Sequence, residues 1–217
     1  MGQPAQLGVV VVMFASILVA DYITGVELAL RALYVVPVAV ASHNDSLTGI
    51  ANLRGFRNLA QREIDRAQRL AAPLTLVHID IDGFKAVNDT RGHAEGDRLL
   101  KLVAEVLTSG RALDIAARVG GDEFVLLLPE TARPDAEVAV ARVRKRLVQA
   151  MRADEWPVTF SMGAATFLVA PESLDHALRV ADALMYDVKH GSKDAVRFAV
   201  ISESTPSASI PAAADSD

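Results

Sequence analysis

Arg118-Val119-Gly120-Gly121-Asp122-Glu123-Phe124, continuing as Val125-Leu126-Leu127-Leu128-Pro129, is the stretch on which the fold turns. Upstream of it, Ile115 to Val119 is apolar except for Arg118, and downstream Phe124 to Leu128 is apolar throughout. Two such runs around a Gly-Gly pair predict a tight β-hairpin, with both glycines at positive φ where they cost little sterically. The turn carries two adjacent carboxylates, Asp122 and Glu123. Neighbouring strand residues point to opposite faces, so only one of the two faces a given site. A carboxylate beside a buried strand is costly unless it is solvated, paired or bound to a metal. A plain turn with two solvated acids is the alternative that the rest of the chain has to decide.

Working outward, Leu74 to Ile79 predicts a strand that runs into Asp80-Ile81-Asp82-Gly83-Phe84-Lys85. Before it, Phe56 to Ala72 predicts a surface helix with Leu59, Ile64, Ala67 and Leu70 facing inward, ended by Pro73. Gly92 to Ser109 predicts a helix with Leu99, Leu100, Val103, Val106 and Leu107 on its inner face. After the hairpin, Pro134 and Asp135 open a helix reaching about Met151. Val158 to Phe167 predicts a strand, Glu172 to Lys189 a helix and Ala195 to Val200 a last strand. His78 on the first strand is expected to be packed and hydrogen-bonded rather than a ligand. This order gives an α/β fold: a mixed central β-sheet flanked by helices on both faces.

Composition sets the outer bounds. The 217 residues suffice for one domain with a core plus an appendage. A net charge of −5 argues against a dedicated nucleic-acid binder. The absence of cysteine excludes disulfides, thiol catalysis and zinc-thiolate sites. Hydrophobic residues make up 51% of the chain, and their excess lies at the start. Leu7 to Ala20 has no charge, and Leu28 to Ala41 is broken only by Arg31, with the polar turn Asp21-Tyr22-Ile23-Thr24-Gly25 between them. Each run is 14 residues, shorter than the roughly 17 to 20 of a spanning helix. The acidic turn (Asp21, Glu27) and the arginines after position 50 nevertheless favour a hydrophobic helical hairpin in a membrane with both ends inside. A helix pair buried against the domain is the competing possibility. The positively charged start of a signal peptide is missing. The expected division is an N-terminal anchor over 1–41, a globular domain over 42–201, and a disordered tail over 202–217 rich in Ser, Pro, Ala and Asp.

Five blocks now stand in order: Asp45-Ser46-Leu47-Thr48-Gly49, Asp80 to Asp89 (DIDGFKAVND), Gly92 to Asp97 (GHAEGD), Gly120 to Phe124 (GGDEF) and Thr159 to Gly163 (TFSMG). In this combination and spacing the segment from about 45 to 200 resembles the GGDEF family of diguanylate cyclases, which condense two GTP into cyclic di-GMP. The resemblance implies a nucleotide-cyclase, palm-like domain. The N-terminal stretch also resembles the start of multi-pass sensor regions with a D-Y-x-T-G…Y-x-x-P pattern (Asp21, Tyr22, Thr24, Gly25; Tyr34, Pro37), here cut short. A bacterial inner membrane with the catalytic domain in the cytoplasm follows as the expected location, a cytoplasmic protein being the alternative.

Asp80 ends a strand, where α/β folds place their ligands. Asp80 and Asp122, with the backbone carbonyl of Ile81 and triphosphate oxygens, could share Mg²⁺, or Mn²⁺ in its place. The resemblance makes Asp122 both base and ligand, with Glu123 supporting the metal site. The turn before Phe84 offers amides to phosphate, and Lys85 adds a charge. Lys189 and Lys193 match family cations for the β- and γ-phosphates, a solvated helix end being the alternative for both. The family ends K-x-x-G-R-N, whereas this chain reads Lys189-His190-Gly191-Ser192-Lys193-Asp194, and lysine lacks arginine's fork. A second departure is Leu53, where the family more often has arginine. Asn88 and Asp97 are the guanine readers: a carboxylate accepts from N1–H and N2–H₂, an edge adenine lacks. His93 lies between them, with nucleotide contact and a structural role both open.

Arg111-Ala112-Leu113-Asp114 occupies the position of the family's product-inhibition motif, R-x-x-D, and Arg142 matches a secondary arginine of that site. A salt-bridged turn is the alternative for the pair, and a solvated basic face (Arg142, Arg144, Lys145, Arg146) for Arg142. Since each domain holds one GTP, the resemblance implies a homodimer with GTP as substrate and cyclic di-GMP as product and inhibitor. A catalytically silent receptor for cyclic di-GMP or GTP is the competing function, and a palm domain acting on other nucleotides is a third; the full acidic set and the guanine-selective pair weigh against them.

Overall fold

In the computed structural model residues 43–202 are described; the expected anchor over 1–41 and the tail beyond Ser202 lie outside them. The elements are β1 (Ala51–Asn52), α1 (Leu53–Leu70), β2 (Leu74–Asp82), α2 (Phe84–Arg91), α3 (His93–Thr108), β3 (Ile115–Arg118), β4 (Glu123–Pro129), α4 (Arg133–Ala153), β5 (Thr159–Phe167), α5 (Leu174–His190) and β6 (Val196–Ile201). The six strands form one sheet in the order β1-β3-β4-β2-β5-β6. β2 pairs antiparallel with both β4 and β5, while β1–β3 and β5–β6 are parallel, so the sheet is mixed as expected.

β2 is the axis of the molecule. All nine of its residues are buried, which is the pattern of a strand covered on both faces. Alternation divides them. Val77, Ile79 and Ile81 join a core with Leu99, Leu100, Val103 and Leu107 of α3 and Val140, Val143 and Leu147 of α4. Leu74 and Leu76 join a second core with Phe56, Ala60 and Ile64 of α1 and Ala177 and Ala181 of α5. On that second face the strand continues with His78, Asp80 and Asp82, so apolar packing gives way to polar groups toward one end of the sheet. Gly163 of β5 lets α5 press against the sheet there: a Cβ would lie 2.2 Å from Ala181 O and 2.3 Å from Met185 N.

Three expectations are corrected. α1 starts at Leu53, where Asn52 Oδ1 caps the Gly55 N–H at 2.9 Å. Its buried face is Phe56, Ala60, Ile64 and Ala67, whereas Leu59 and Leu70 are exposed. The inward stripe alternates Phe56 and Ile64 with Ala60 and Ala67 at three- and four-residue spacing, and Leu59 and Leu70 fall beside it. The hairpin is also wider than a two-residue turn. Arg118 pairs with Phe124, Val119 N–H donates to Glu123 O at 3.0 Å, and neither Gly120 nor Gly121 has positive φ. At Gly120 a Cβ would lie 2.7 Å from Glu123 Oε2, the free end of a side chain that would have to turn aside. Finally, His78 is packed as expected but not hydrogen-bonded. Its Nδ1 lies 3.1 Å from Asp182 Oδ1 without the alignment of a bond, and burial pushes its imidazole below the ordinary value against the pull of Asp182, Glu123 and Asp80.

Candidate active site

The wide turn is held from outside. Arg118 donates to Gly121 O through Nη2 at 2.7 Å and Nε at 3.1 Å, and its Nη1 reaches both oxygens of Asp45 at 3.1 and 3.3 Å. Asp45 in turn accepts from Thr48 N–H and Oγ1 at 2.9 and 2.6 Å. Burial alone would raise the Asp45 carboxyl, but the Thr48 bonds and the Arg118 guanidinium outweigh it and hold it below the ordinary value. The first of the five sequence blocks is thus a clamp on the fourth. Beyond Asp80, which faces Glu123 across the ladder, Ile81 N–H turns to Asp122 O at 3.3 Å. The carboxylate-bearing turn is therefore tied to the end of β2.

Asp80 is 1% exposed. Its Oδ2 accepts from Lys189 Nζ at 2.6 Å, while its Oδ1 is buried with no partner. Burial pushes the Asp80 carboxyl above the ordinary value; Lys189 pulls it back, and Asp122 and Asp82 push it further up. Lys189 is raised, first by its bond to Asp80 and then by the fields of Asp80, Asp122 and Glu123, against its own desolvation. One ammonium therefore feels three carboxylates gathered from β2 and the hairpin. An orphaned, desolvated carboxylate oxygen in such a corner suits a hard cation. Among the described residues no three His, Asp or Glu side chains converge on one metal position. A cation here would draw on the two aspartates, backbone and substrate oxygens, the sparse protein set that Mg²⁺ takes.

Gly83, at φ 83°, turns β2 into α2, and Lys85 stands exposed in the first turn of that helix. Asp82, buried, accepts from Ser161 Oγ at 2.9 Å and Thr159 Oγ1 at 2.9 Å, which fixes the strand end from β5. Asn88 on α2 packs against Gly96 of α3, the residue before Asp97. A Cβ there would lie 2.0 Å from Asn88 Oδ1, so the glycine leaves the space into which the amide fits. Asp97 and His93 are exposed, both on α3. Lys193 is exposed in the turn after α5. Glu123 lies on the α1–α5 side, the face that carries Asp80, in a cleft shared with Leu53, Arg57, His78 and Asp182. Gly96, Arg118 and Asp82 were not singled out in the sequence as site residues; the signal was there, since each lies in or beside a block.

Arg111 and Asp114 bind each other. Asp114 accepts from the Arg111 N–H at 2.9 Å and from Nε at 3.1 Å, and Arg111 Nη2 also donates to Thr131 Oγ1 at 2.7 Å. Arg142 is exposed, and no hydrogen bond or ion pair joins it to either.

Comparison with known proteins places this geometry. The family profile described as "Diguanylate cyclase, GGDEF domain" matches residues 42–195. Diguanylate cyclase DosC of Escherichia coli K12 is 34% identical over 157 residues, covering 70% of this chain and 34% of that protein. The chain thus spans between about a quarter and less than half of the length of the curated relatives it matches, and 34% of DosC. Among solved structures, diguanylate cyclase SiaD from Pseudomonas aeruginosa, in complex with its activator SiaC, superposes with a TM-score of 0.66 at 32% identity, covering 91% of this chain and 77% of that one. The coiled coil and GGDEF domain of DgcB from Caulobacter crescentus, in complex with c-di-GMP, gives 0.72 at 27% identity, covering 85% and 99%.

Proposed function

The chain belongs to the GGDEF diguanylate cyclase family, and from that premise we propose that it condenses two GTP into cyclic di-GMP and two pyrophosphates. The observation that carries this reading is the buried, half-satisfied Asp80 carboxylate at the end of β2, beside Asp122, Glu123 and Lys189. Asp97 accepts from N1–H and N2–H₂ of guanine with Asn88 beside it; adenine would leave Asp97 against a lone pair. Lys85, Lys189 and Lys193 supply charge along the triphosphate. Asp80, Asp122 and the Ile81 carbonyl would hold Mg²⁺ or Mn²⁺, which when bound polarises the α-phosphate and acidifies the attacking 3′-hydroxyl. Asp122 takes the proton of that hydroxyl, whose oxygen bonds to the α-phosphorus of the other GTP. The α–β phosphoanhydride bond breaks and pyrophosphate leaves. The same step on the second GTP closes the ring.

One GTP per domain requires two domains facing each other, so the active species is a homodimer. Residues 1–41 serve as a membrane anchor, with the domain over 42–201 in the cytoplasm and the tail after it. Arg111, Asp114 and Arg142 form an inhibitory site for cyclic di-GMP. Purified protein given GTP and Mg²⁺ should yield a product of the mass of cyclic di-GMP, and none with ATP. Binding of GTP or cyclic di-GMP without turnover would replace this reading by a silent receptor. Full-length protein should sediment with membranes, whereas full-length chain that is soluble without detergent would sink the anchor.

A further inference from the structure

The turn between α5 and β6 carries Lys193, and its backbone is held in an uncommon state. Lys193 and Asp194 both have left-handed φ, 48° and 42°, a region sparsely occupied by residues other than glycine and rarely in succession. Such a conformation persists where its surroundings over-determine it. Three contacts do so. Lys193 N–H donates to Val188 O of α5 at 2.9 Å, and Asp194 N–H reaches Asp82 Oδ2 at 3.4 Å. The third comes from 50 residues away, on α4: Arg144 Nη2 donates to Asp194 O at 2.7 Å and to Asp194 Oδ1 at 2.8 Å. Arg144 Nε is meanwhile buried without a partner. The side chain is thus committed to Asp194 while one of its own donors goes unmet, and an unmet buried donor is unfavourable unless other bonds offset it.

We propose that Arg144 is a positioning residue for nucleotide binding: by gripping Asp194 it fixes the left-handed turn that presents Lys193 to the triphosphate. The proposal rests on the guanine-nucleotide reading above. It also gives a meaning to the two departures at this turn. Lysine is a point charge on a flexible stem without arginine's pre-organised fork, so its placement depends more on the backbone that carries it. Aspartate at 194, where the family has asparagine, gives Arg144 a charge-assisted acceptor. The tether is local to α4, β2 and the α5–β6 turn, and Arg144 itself touches no substrate.

The test uses full-length protein and 3′-deoxy-GTP with Mg²⁺, a probe that can bind but lacks the attacking hydroxyl. Calorimetry then reads affinity apart from turnover. Arg144→Ala should weaken binding about five- to tenfold, and in GTP turnover should raise KM while kcat stays within about twofold. Lys193→Ala should weaken binding to a similar or greater degree. The double variant should be no weaker than Lys193→Ala alone, because Arg144 acts through Lys193. Should Arg144→Ala fail to fold, Asp194→Asn tests the same grip, since asparagine tolerates left-handed φ; a loss of about two- to threefold is expected from the missing charge. A parent protein that does not bind the probe overturns the nucleotide reading and this inference with it. A parent that binds, with Arg144→Ala unchanged or with losses that multiply in the double variant, overturns the positioning role alone.

Discussion

Two carboxylates in this domain lie buried beside a half-exposed cation, at opposite ends of β4. Asp80 with Lys189 has side-chain exposures of 1% and 39%, and Asp114 with Arg111 of 5% and 47%. Asp80 faces Glu123 at the start of β4, while Arg111 donates to the Pro129 carbonyl at its end, at 3.5 Å. At strand rise the two ends are about 20 Å apart. By burial and charge the pairs are alike; by satisfaction they are opposites. Asp114 is met at both oxygens, by a backbone amide and a guanidinium, whereas Asp80 keeps one buried oxygen with no partner and a carboxyl pushed up by desolvation. Burial of an acid therefore does not by itself suit it to a cation. An unfilled oxygen, with like charges gathered around it, is what sets Asp80 apart from Asp114.

The largest expected effect breaks that contrast at its unsatisfied end. Asp80→Asn or Asp122→Asn should lower cyclic di-GMP formation by about a hundredfold or more, because each removes a hard anionic oxygen from the corner. Circular dichroism and melting should show the fold intact; substantial turnover in either variant would sink the two-carboxylate mechanism. Next comes Gly96→Ala. The added Cβ must displace Asn88, so KM for GTP should rise about tenfold with a smaller change in kcat, and unchanged kinetics would remove Asn88 from guanine reading.

At the satisfied end the expected effect is smaller and of two kinds. Arg111→Ala should weaken product inhibition about tenfold if the pair reads a guanine edge, with initial rates at low product near those of the parent. It should also cost about 1–2 kcal/mol of stability by leaving the buried Asp114 with only its amide donor. Loss of stability with overlapping inhibition curves would make the pair a salt-bridged turn and nothing more. The smallest effect sharpens the comparison with a third acid, Asp45, which is half-buried like neither. Its folded carboxyl lies below the ordinary 3.8, so its contribution is present above that value and is lost as pH falls through the lowered one. The stability advantage of the parent over Asp45→Asn should be about 0.5–1 kcal/mol near neutrality and should shrink below about pH 4. A pH-independent difference would mean that Asp45 acts through packing alone.

Much of this was legible in the sequence because it depends on local rules. The strand β2 shows as an apolar run into DID, and β4 as FVLLL after the glycines; the helices show as 3.6-residue stripes. The site residues sit inside short blocks whose chemistry is recognisable without coordinates. What misled were cases where size stood in for position. Leu59 and Leu70 look like core and are exposed, because the register of α1 is set by Phe56 and alanines packing on the sheet. The Gly-Gly pair looks like a positive-φ turn and is not one, since the loop is opened by Arg118 and held from Asp45, 73 positions away in the chain.

The sequence by itself determined the α/β class, which follows from periodicity and element order, and through the resemblance of its five blocks it pointed to the family and to nearly every candidate group. Only the tertiary structure decided which groups are satisfied. Whether Asp80 keeps a free oxygen, Asp114 none, and Asp194 an arginine partner depends on side chains that meet across 109, 3 and 50 positions of chain. Two of those separations are set by how helices pack on the sheet. For those two, hydrogen-bond completion is a property of that packing, and no local pattern encodes it.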